Sequence, residues 1–117
     1  MKYPDEIDLM ALFEFEPHLL DSKDIPFFYN QSTYQYTNKS NQIFTVKLQP
    51  SSNELEILVK KGPIQLFYLK FNTVSGLSIL KDTKGEKRIM ITSDNFISKM
   101  NLNPEFQFEL VEERDMH

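Results

Sequence analysis

Between residues 42 and 92, apolar and polar side chains alternate in short runs. Phe44, Val46 and Leu48 alternate with Thr45 and Lys47. Leu55, Ile57 and Val59 alternate with Glu54, Glu56 and Lys60, and Phe67, Leu69 and Phe71 with Tyr68 and Lys70. Leu77 and Ile79, then Ile89 and Ile91, continue the pattern. A period of two sends successive side chains to opposite faces of a sheet. The polar breaks at 50–53, 60–63 and 82–85 are too short for crossovers, so neighbouring strands are expected to pair antiparallel. The run Ile64–Phe71 is apolar on both faces, which predicts a central strand covered on each side. Gly76 marks a bulge or bend. Asp82-Thr83-Lys84-Gly85 predicts an exposed hairpin over 81–87, with Gly85 free to take the left-handed conformation.

The flanks are less regular. Residues 4–13 predict a helix: Pro4 suits a first turn, and Asp5, Glu6 and Asp8 sit near its positive end. Ile7, Met10 and Ala11 form one stripe and Leu9, Leu12 and Phe13 another, so the helix is expected to be largely buried. A competing reading places Phe13 and Phe15 against Glu14 and Glu16 in a short strand. Asp21-Ser22-Lys23-Asp24 is a turn cluster, and Ile25 before Pro26 disfavours helix. Residues 33–37 and 42–48 predict a hairpin around the turn-like 38–41. Phe96, Met100 and Leu102 share parity with Phe106, Phe108 and Leu110; Pro104 divides them into two short strands or one bent one. Residues 112–117 read as a charged, frayed tail. The expectation is one domain over 1–117, mainly β (α+β). It is an antiparallel meander sheet, or a sandwich-like two-layer domain, with a short N-terminal helix against it.

Composition narrows the chemistry. The chain has 117 residues, ten Phe, five Tyr, no Trp and no Cys, with a net charge of −4. Absence of cysteine removes disulfides and thiolate chemistry and suits a reducing compartment. The N-terminus carries no apolar signal core and no run reaches membrane-spanning length, so the reading is cytoplasmic with no membrane partner. The acidic balance argues against a phosphate backbone and suits a basic protein partner. Lys81, Lys84, Lys87 and Arg88 would make a basic hairpin tip, but no aromatic residues interleave for stacking; it reads as a soluble hairpin end, with no nucleic-acid partner.

No catalytic constellation emerges. His18 is the one histidine within the folded part, His117 being the last residue. Three glycines, Gly62, Gly76 and Gly85, make no phosphate cradle, and there is no nucleophile elbow. If extended, Glu14, Glu16 and His18 would share a face and could hold a divalent metal. Pro17 breaks that alternation, and no further ligand stands out, so they read as a solvated strand edge with no metal and no cofactor. The aromatics Phe27, Phe28, Tyr29, Tyr34 and Tyr36 have two readings. Tyrosines supply recognition area at low entropy cost, or they lie on a half-buried sheet face. On the first reading Tyr29, Tyr34 and Tyr36 anchor a protein partner while Glu14, Glu16, Asp21 and Asp24 steer it.

One likeness bears on function. The stretch from Asp8 to Pro17, Phe44 to Leu48, Phe71-Asn72-Thr73-Val74-Ser75-Gly76-Leu77-Ser78-Ile79 and Arg88-Ile89-Met90-Ile91 together resemble small uncharacterised bacterial β-rich proteins. Some of these resemble immunity proteins encoded beside secreted polymorphic toxins. The resemblance implies a non-enzymatic, β-rich cytoplasmic inhibitor that occludes a toxin, and it carries over no functional residue. The alternatives are a structural subunit pairing through a sheet edge and a metal-assisted enzyme. The sequence sets no oligomeric state.

Overall fold

The computed structural model describes residues 1–113. One helix, α1 (Glu6–Phe13), precedes nine strands: β1 (His18–Leu19), β2 (Ser32–Thr37), β3 (Ile43–Gln49), β4 (Glu54–Lys61), β5 (Ile64–Phe71), β6 (Val74–Asp82), β7 (Lys87–Ser93), β8 (Phe96–Asn103) and β9 (Gln107–Glu113). They form two antiparallel meanders, β1-β2-β3-β4-β5 and β6-β7-β8-β9. The fold is the mainly β, two-layer arrangement with one short helix that the alternation predicts.

Alternation becomes burial in both sheets. Register places Tyr34, Val46, Ile57 and Leu69 in one row across β2 to β5, and Tyr36, Phe44, Val59 and Phe67 in the next. The second sheet turns Leu77, Ile89, Ile91, Met100 and Leu102 inward. Aromatic contacts close the gap between the layers: Phe67 lies 4.9 Å from Phe108 and 5.1 Å from Phe106 between ring centroids, and Phe71 lies 4.8 Å from Phe96. Tilted packing of this kind adds to area burial.

The strand series is not continuous, contrary to the expectation that all neighbours pair. β5 and β6 belong to different sheets. After Phe71 the chain crosses to the other layer, and the Val74 N–H donates to the Asn53 carbonyl at 3.1 Å. Asn53 sits in the β3–β4 turn at φ 57°, and its Oδ1 accepts from the Met1 ammonium at 2.9 Å. Because the break falls after β5, Ile64–Phe71 is an edge strand rather than a central one. Phe67, Leu69 and Phe71 are half-buried against the core, while Ile64, Leu66 and Tyr68 are exposed. Tyr68 instead lies opposite Leu58 and donates its hydroxyl to Glu56 at 3.0 Å.

Turn chemistry departs from expectation in one place. The positive φ falls on Gly62, at +58°, in the two-residue link between β4 and β5, and not on Gly85. The β6–β7 hairpin closes through Thr83, whose N–H and Oγ1 both engage the Glu86 carbonyl. A register shift between Val74 and Gly76 is the bulge foreseen at Gly76. The predicted β2–β3 hairpin is present, with Asn38 at its tip as a polar hub. Its Nδ2 donates to Gln42 Oε1 at 2.7 Å and to the Leu102 carbonyl at 2.9 Å. The tip is thereby fastened to the β8–β9 corner. β9 extends through Glu113, so the first part of the expected tail is strand; residues 114–117 lie outside the described residues.

The helix closes the other side of the core. Leu9, Leu12 and Phe13 are buried, and Phe13 lies 4.8 Å from the Tyr34 ring. Ile7, Met10 and Ala11 face outward, against the expectation of a largely buried helix. One stripe suffices because a single layer lies beneath it. Carbonyls at a helix C-terminus have no intrahelical partner. Here Lys87 of β7 supplies one, donating to Leu12 O at 2.7 Å and Ala11 O at 3.2 Å, with Asp82 Oδ1 at 2.9 Å. Lys87 is therefore buried and belongs to the core, not to an exposed basic tip.

Candidate interaction surface

The chain turns sharply after α1. Glu14 takes a left-handed conformation at φ 52°, and its N–H returns to the Met10 carbonyl, as helix ends commonly close. This kink ends any extended reading of 14–18. Glu14 borders a hollow it shares with Tyr36, Asp82 and Lys87, whereas Glu16 borders a different groove under the helix. The trio Glu14, Glu16 and His18 is therefore not brought together. Among the described residues no group of three His, Cys, Asp or Glu side chains is placed to hold a metal.

Residues 16–30 are irregular apart from the two-residue β1 and a 3-10 turn at Phe27–Tyr29, and one buried side chain folds the segment back on itself. Asn30 is fully buried; its Oδ1 accepts from the N–H groups of Asp21, at 3.1 Å, and Gln31, at 3.0 Å, and its Nδ2 donates to the Ser22 carbonyl at 3.1 Å. An irregular segment cannot satisfy its backbone through a ladder, and a buried amide with both donor and acceptor does so in its place. Asp24 is held by Ser22 Oγ through its N–H at 3.2 Å. The sequence does not single out Asn30. No local spacing ties it to the turn cluster eight residues earlier.

Between α1 and this loop runs a groove of about 340 Å³. Met10, Leu19, Ile25 and Phe27 supply apolar walls, and Glu6, Glu16 and Lys23 stand at it. Phe27 is half-buried against the Tyr3 ring at 5.5 Å. Phe28 and Tyr29, next in sequence, meet edge-to-face at 5.0 Å and are exposed. Ile7, Phe15 and Leu20 add further exposed apolar area to the same N-terminal segment.

Charge is distributed unevenly. Residues 1–30 hold seven carboxylates (Asp5, Glu6, Asp8, Glu14, Glu16, Asp21 and Asp24) against Lys2 and Lys23, a net −5. With −4 in total, the remainder of the chain is +1. The whole acidic excess therefore lies in the segment that also exposes Ile7, Phe15, Leu20, Phe28 and Tyr29.

Of the expected contact residues, Tyr29 (62% exposed), Glu14, Glu16, Asp21 and Asp24 lie at the surface. Tyr34 and Tyr36 do not: they are 0% and 5% exposed. Alternation on β2 places both on the inner face with Ser32, and Tyr36 reaches the surface at the hollow it shares with Glu14. Burial pushes the Tyr34 phenol well above the usual range, with the Glu6 carboxylate adding to the effect. Tyr36 is raised by burial, then by Glu14 and Asp82.

No protein-family model matches the sequence, and no curated protein matches it. Among solved structures, the fold is similar to a chain of a contact-dependent growth inhibition toxin–immunity protein complex from Klebsiella pneumoniae 342, with a TM-score of 0.66. The match covers 94% of this chain and 95% of that one at 20% identity, so the likeness is one of fold. The β-rich fold that the resemblance to immunity proteins implies is the one observed. Among the described residues no helix is long and apolar enough to cross a membrane.

Proposed function

We propose that the chain is a non-catalytic protein-binding inhibitor, an immunity protein that neutralises a toxin domain in the bacterial cytoplasm. The observation that carries this reading is the match, over nearly the full length of both chains, to a member of a toxin–immunity pair. The surface supports the inhibitor side of such a pair: residues 1–30 carry a net −5, with Tyr29 exposed among them. In this reading Tyr29 is an anchor, and Glu14, Glu16, Asp21 and Asp24 accelerate encounter with a basic partner.

The test is co-expression with the product of the adjacent gene, followed by pull-down and by growth of cells making that product alone or with this chain. A complex together with restored growth is expected. If no neighbouring product binds and growth is not restored, the immunity reading is wrong. A second reading, a subunit that pairs through a sheet edge, draws on β5, an unpaired edge strand exposing Ile64, Leu66 and Tyr68. The two differ in salt response: charge-steered association slows as ionic strength rises, while edge pairing changes little.

A further inference from the structure

We infer that the groove between α1 and the 16–30 loop is the seat of one large apolar side chain from a basic segment of the partner, flanked there by lysine or arginine. This deepens the inhibitor reading and rests on it for the partner's identity, but not for the groove's chemistry.

Three features select this occupant. The walls are apolar and come from two elements: Met10 from the helix, and Leu19, Ile25 and Phe27 from the segment facing it. Met10 and Ile25 remain 36% and 41% exposed, so an entering aliphatic or aromatic group would cover area now in water. Methionine adapts its shape to an incoming group better than a branched side chain does.

Charge then sets what flanks that group. Glu6 and Glu16 stand at the groove, with Lys23 as the opposing cation. Around them the first thirty residues carry a net −5. An acidic partner would meet repulsion across the whole layer, whereas a basic one is drawn in and oriented. A second copy of this chain would present the same negative face, which argues against a symmetric dimer here.

The rival surface is the outer side of β5. It is also apolar, but it carries Lys70 on the same face, and Lys61 stands at the end of the neighbouring β4. Edge lysines are a common device against strand addition.

Asn30 lies among the lining residues and fixes the segment facing the helix through its bonds to Asp21, Ser22 and Gln31. Binding at this site therefore depends on the loop's internal hydrogen bonds as well as on the walls.

The experiment is an amide-resolved NMR titration of the full chain with two synthetic hexapeptides, Lys-Arg-Leu-Phe-Arg-Lys and Glu-Asp-Leu-Phe-Asp-Glu. The basic peptide is expected to shift amides in 6–10 and 16–30, and the acidic one to leave them in place. Met10→Lys and Glu16→Lys alter exposed side chains and should keep the native melting temperature; each should weaken the basic peptide roughly tenfold. Shifts centred on β5, equal binding of both peptides, or undiminished binding by both variants would overturn the inference. So would concentration-dependent shifts in the same amides without peptide, which would identify a second copy as the occupant. Failure here is separable from failure of the immunity reading. If the neighbouring gene product is captured undiminished by both variants, immunity stands and the groove assignment falls. If the peptide titration succeeds and no neighbour is captured, the groove stands and the toxin does not.

Discussion

Residues 1–30 and the strands that follow them differ in how they satisfy their backbone groups and in how much of their apolar surface they bury. In β2 to β9 the ladders provide the partners, and alternation sends Phe44, Ile57, Ile91 and Met100 into the space between the sheets. In the N-terminal layer, pairing is confined to β1 and the bridge of Lys2 to Gly76, and single side chains do much of the rest. Asn30 closes the loop, and Lys87, reaching over from β7, closes the helix. Only one stripe of α1 is buried; Ile7, Met10, Ile25 and Tyr29 remain in water. The sheet pair and the buried stripe of α1 form the core, and the outer side of the N-terminal layer is left free of packing. Loops and short helices on a rigid scaffold are common places for binding residues for this reason.

The contrast is tested most severely in the core. Phe44 is fully buried, in ring contact with Tyr36 at 6.0 Å and with Phe106 across the sheets at 5.9 Å. Phe44→Ala removes contacts on both layers, and a loss of about 3–5 kcal/mol is expected. Chemical denaturation should show one shifted transition, with both sheets lost together. A native-like midpoint would mean that the inter-sheet aromatics contribute little.

Lys87 ties the two regions together, so its loss is expected to rank second. Lys87→Met keeps the length of the side chain but leaves the Leu12 and Ala11 carbonyls without their donor and Asp82 without its cation. Unsatisfied buried groups of this kind cost about 2–3 kcal/mol in total. The mark of the link is where the loss appears. Hydrogen exchange should accelerate first in α1 amides and only later in β7. Uniform acceleration would show that the helix is not a separable layer.

Asn30→Ala acts inside the N-terminal layer alone. The Asp21 and Gln31 N–H groups would have to find water, at a cost of about 1–2 kcal/mol. Exchange at these two amides should rise, while those of β3, β4, β7 and β8 stay protected, as local opening requires. The same variant should weaken the basic hexapeptide without a large change in melting temperature.

What could be read in the sequence follows the same division. The alternation of Phe44–Leu48, Leu55–Val59 and Ile89–Ile91 reports a strong constraint, one buried face per strand, and it placed those residues correctly. The sheet break after Phe71 carries no such signal, because the crossing depends on Asn53, nearly twenty residues earlier. Without the break, an apolar run on both faces looks central when it is an edge. Tyr34 and Tyr36 fit the alternation of β2 equally well facing in or out. Their inward register is set by pairing with Val46 and Phe44, which one strand alone does not reveal. Lys87 looked like a solvated charge because its acceptors, Ala11 and Leu12, are distant in sequence. The surface residues Tyr29, Glu14, Glu16, Asp21 and Asp24 were visible as candidates. The groove beside them was not, since its walls come from two segments whose approach depends on Asn30.

The smallest effect at neutral pH concerns Tyr34, and pH magnifies it. Its hydroxyl is buried and finds no hydrogen-bond partner among the described residues, with the ring packed on Phe13. An unpaired buried hydroxyl opposes folding, so Tyr34→Phe should be neutral or stabilising by up to about 1 kcal/mol near pH 7. Alkali separates the two proteins. Burial, with Glu6 nearby, raises the folded-state phenol above the ordinary tyrosine value of about 10, so the folded chain retains a proton that the unfolded chain releases. Stability from this group is fully present below pH 10 and falls as pH rises towards the folded value, by about 1.4 kcal/mol per pH unit. Tyr34→Phe removes that slope. Tyr36, raised in the same direction, still contributes its own in both proteins. Denaturant midpoints measured from pH 8 upward should therefore diverge above pH 10, with the variant the more stable. Parallel profiles would mean that the Tyr34 hydroxyl reaches water, and that the layer formed by α1 does not seal the core beneath it.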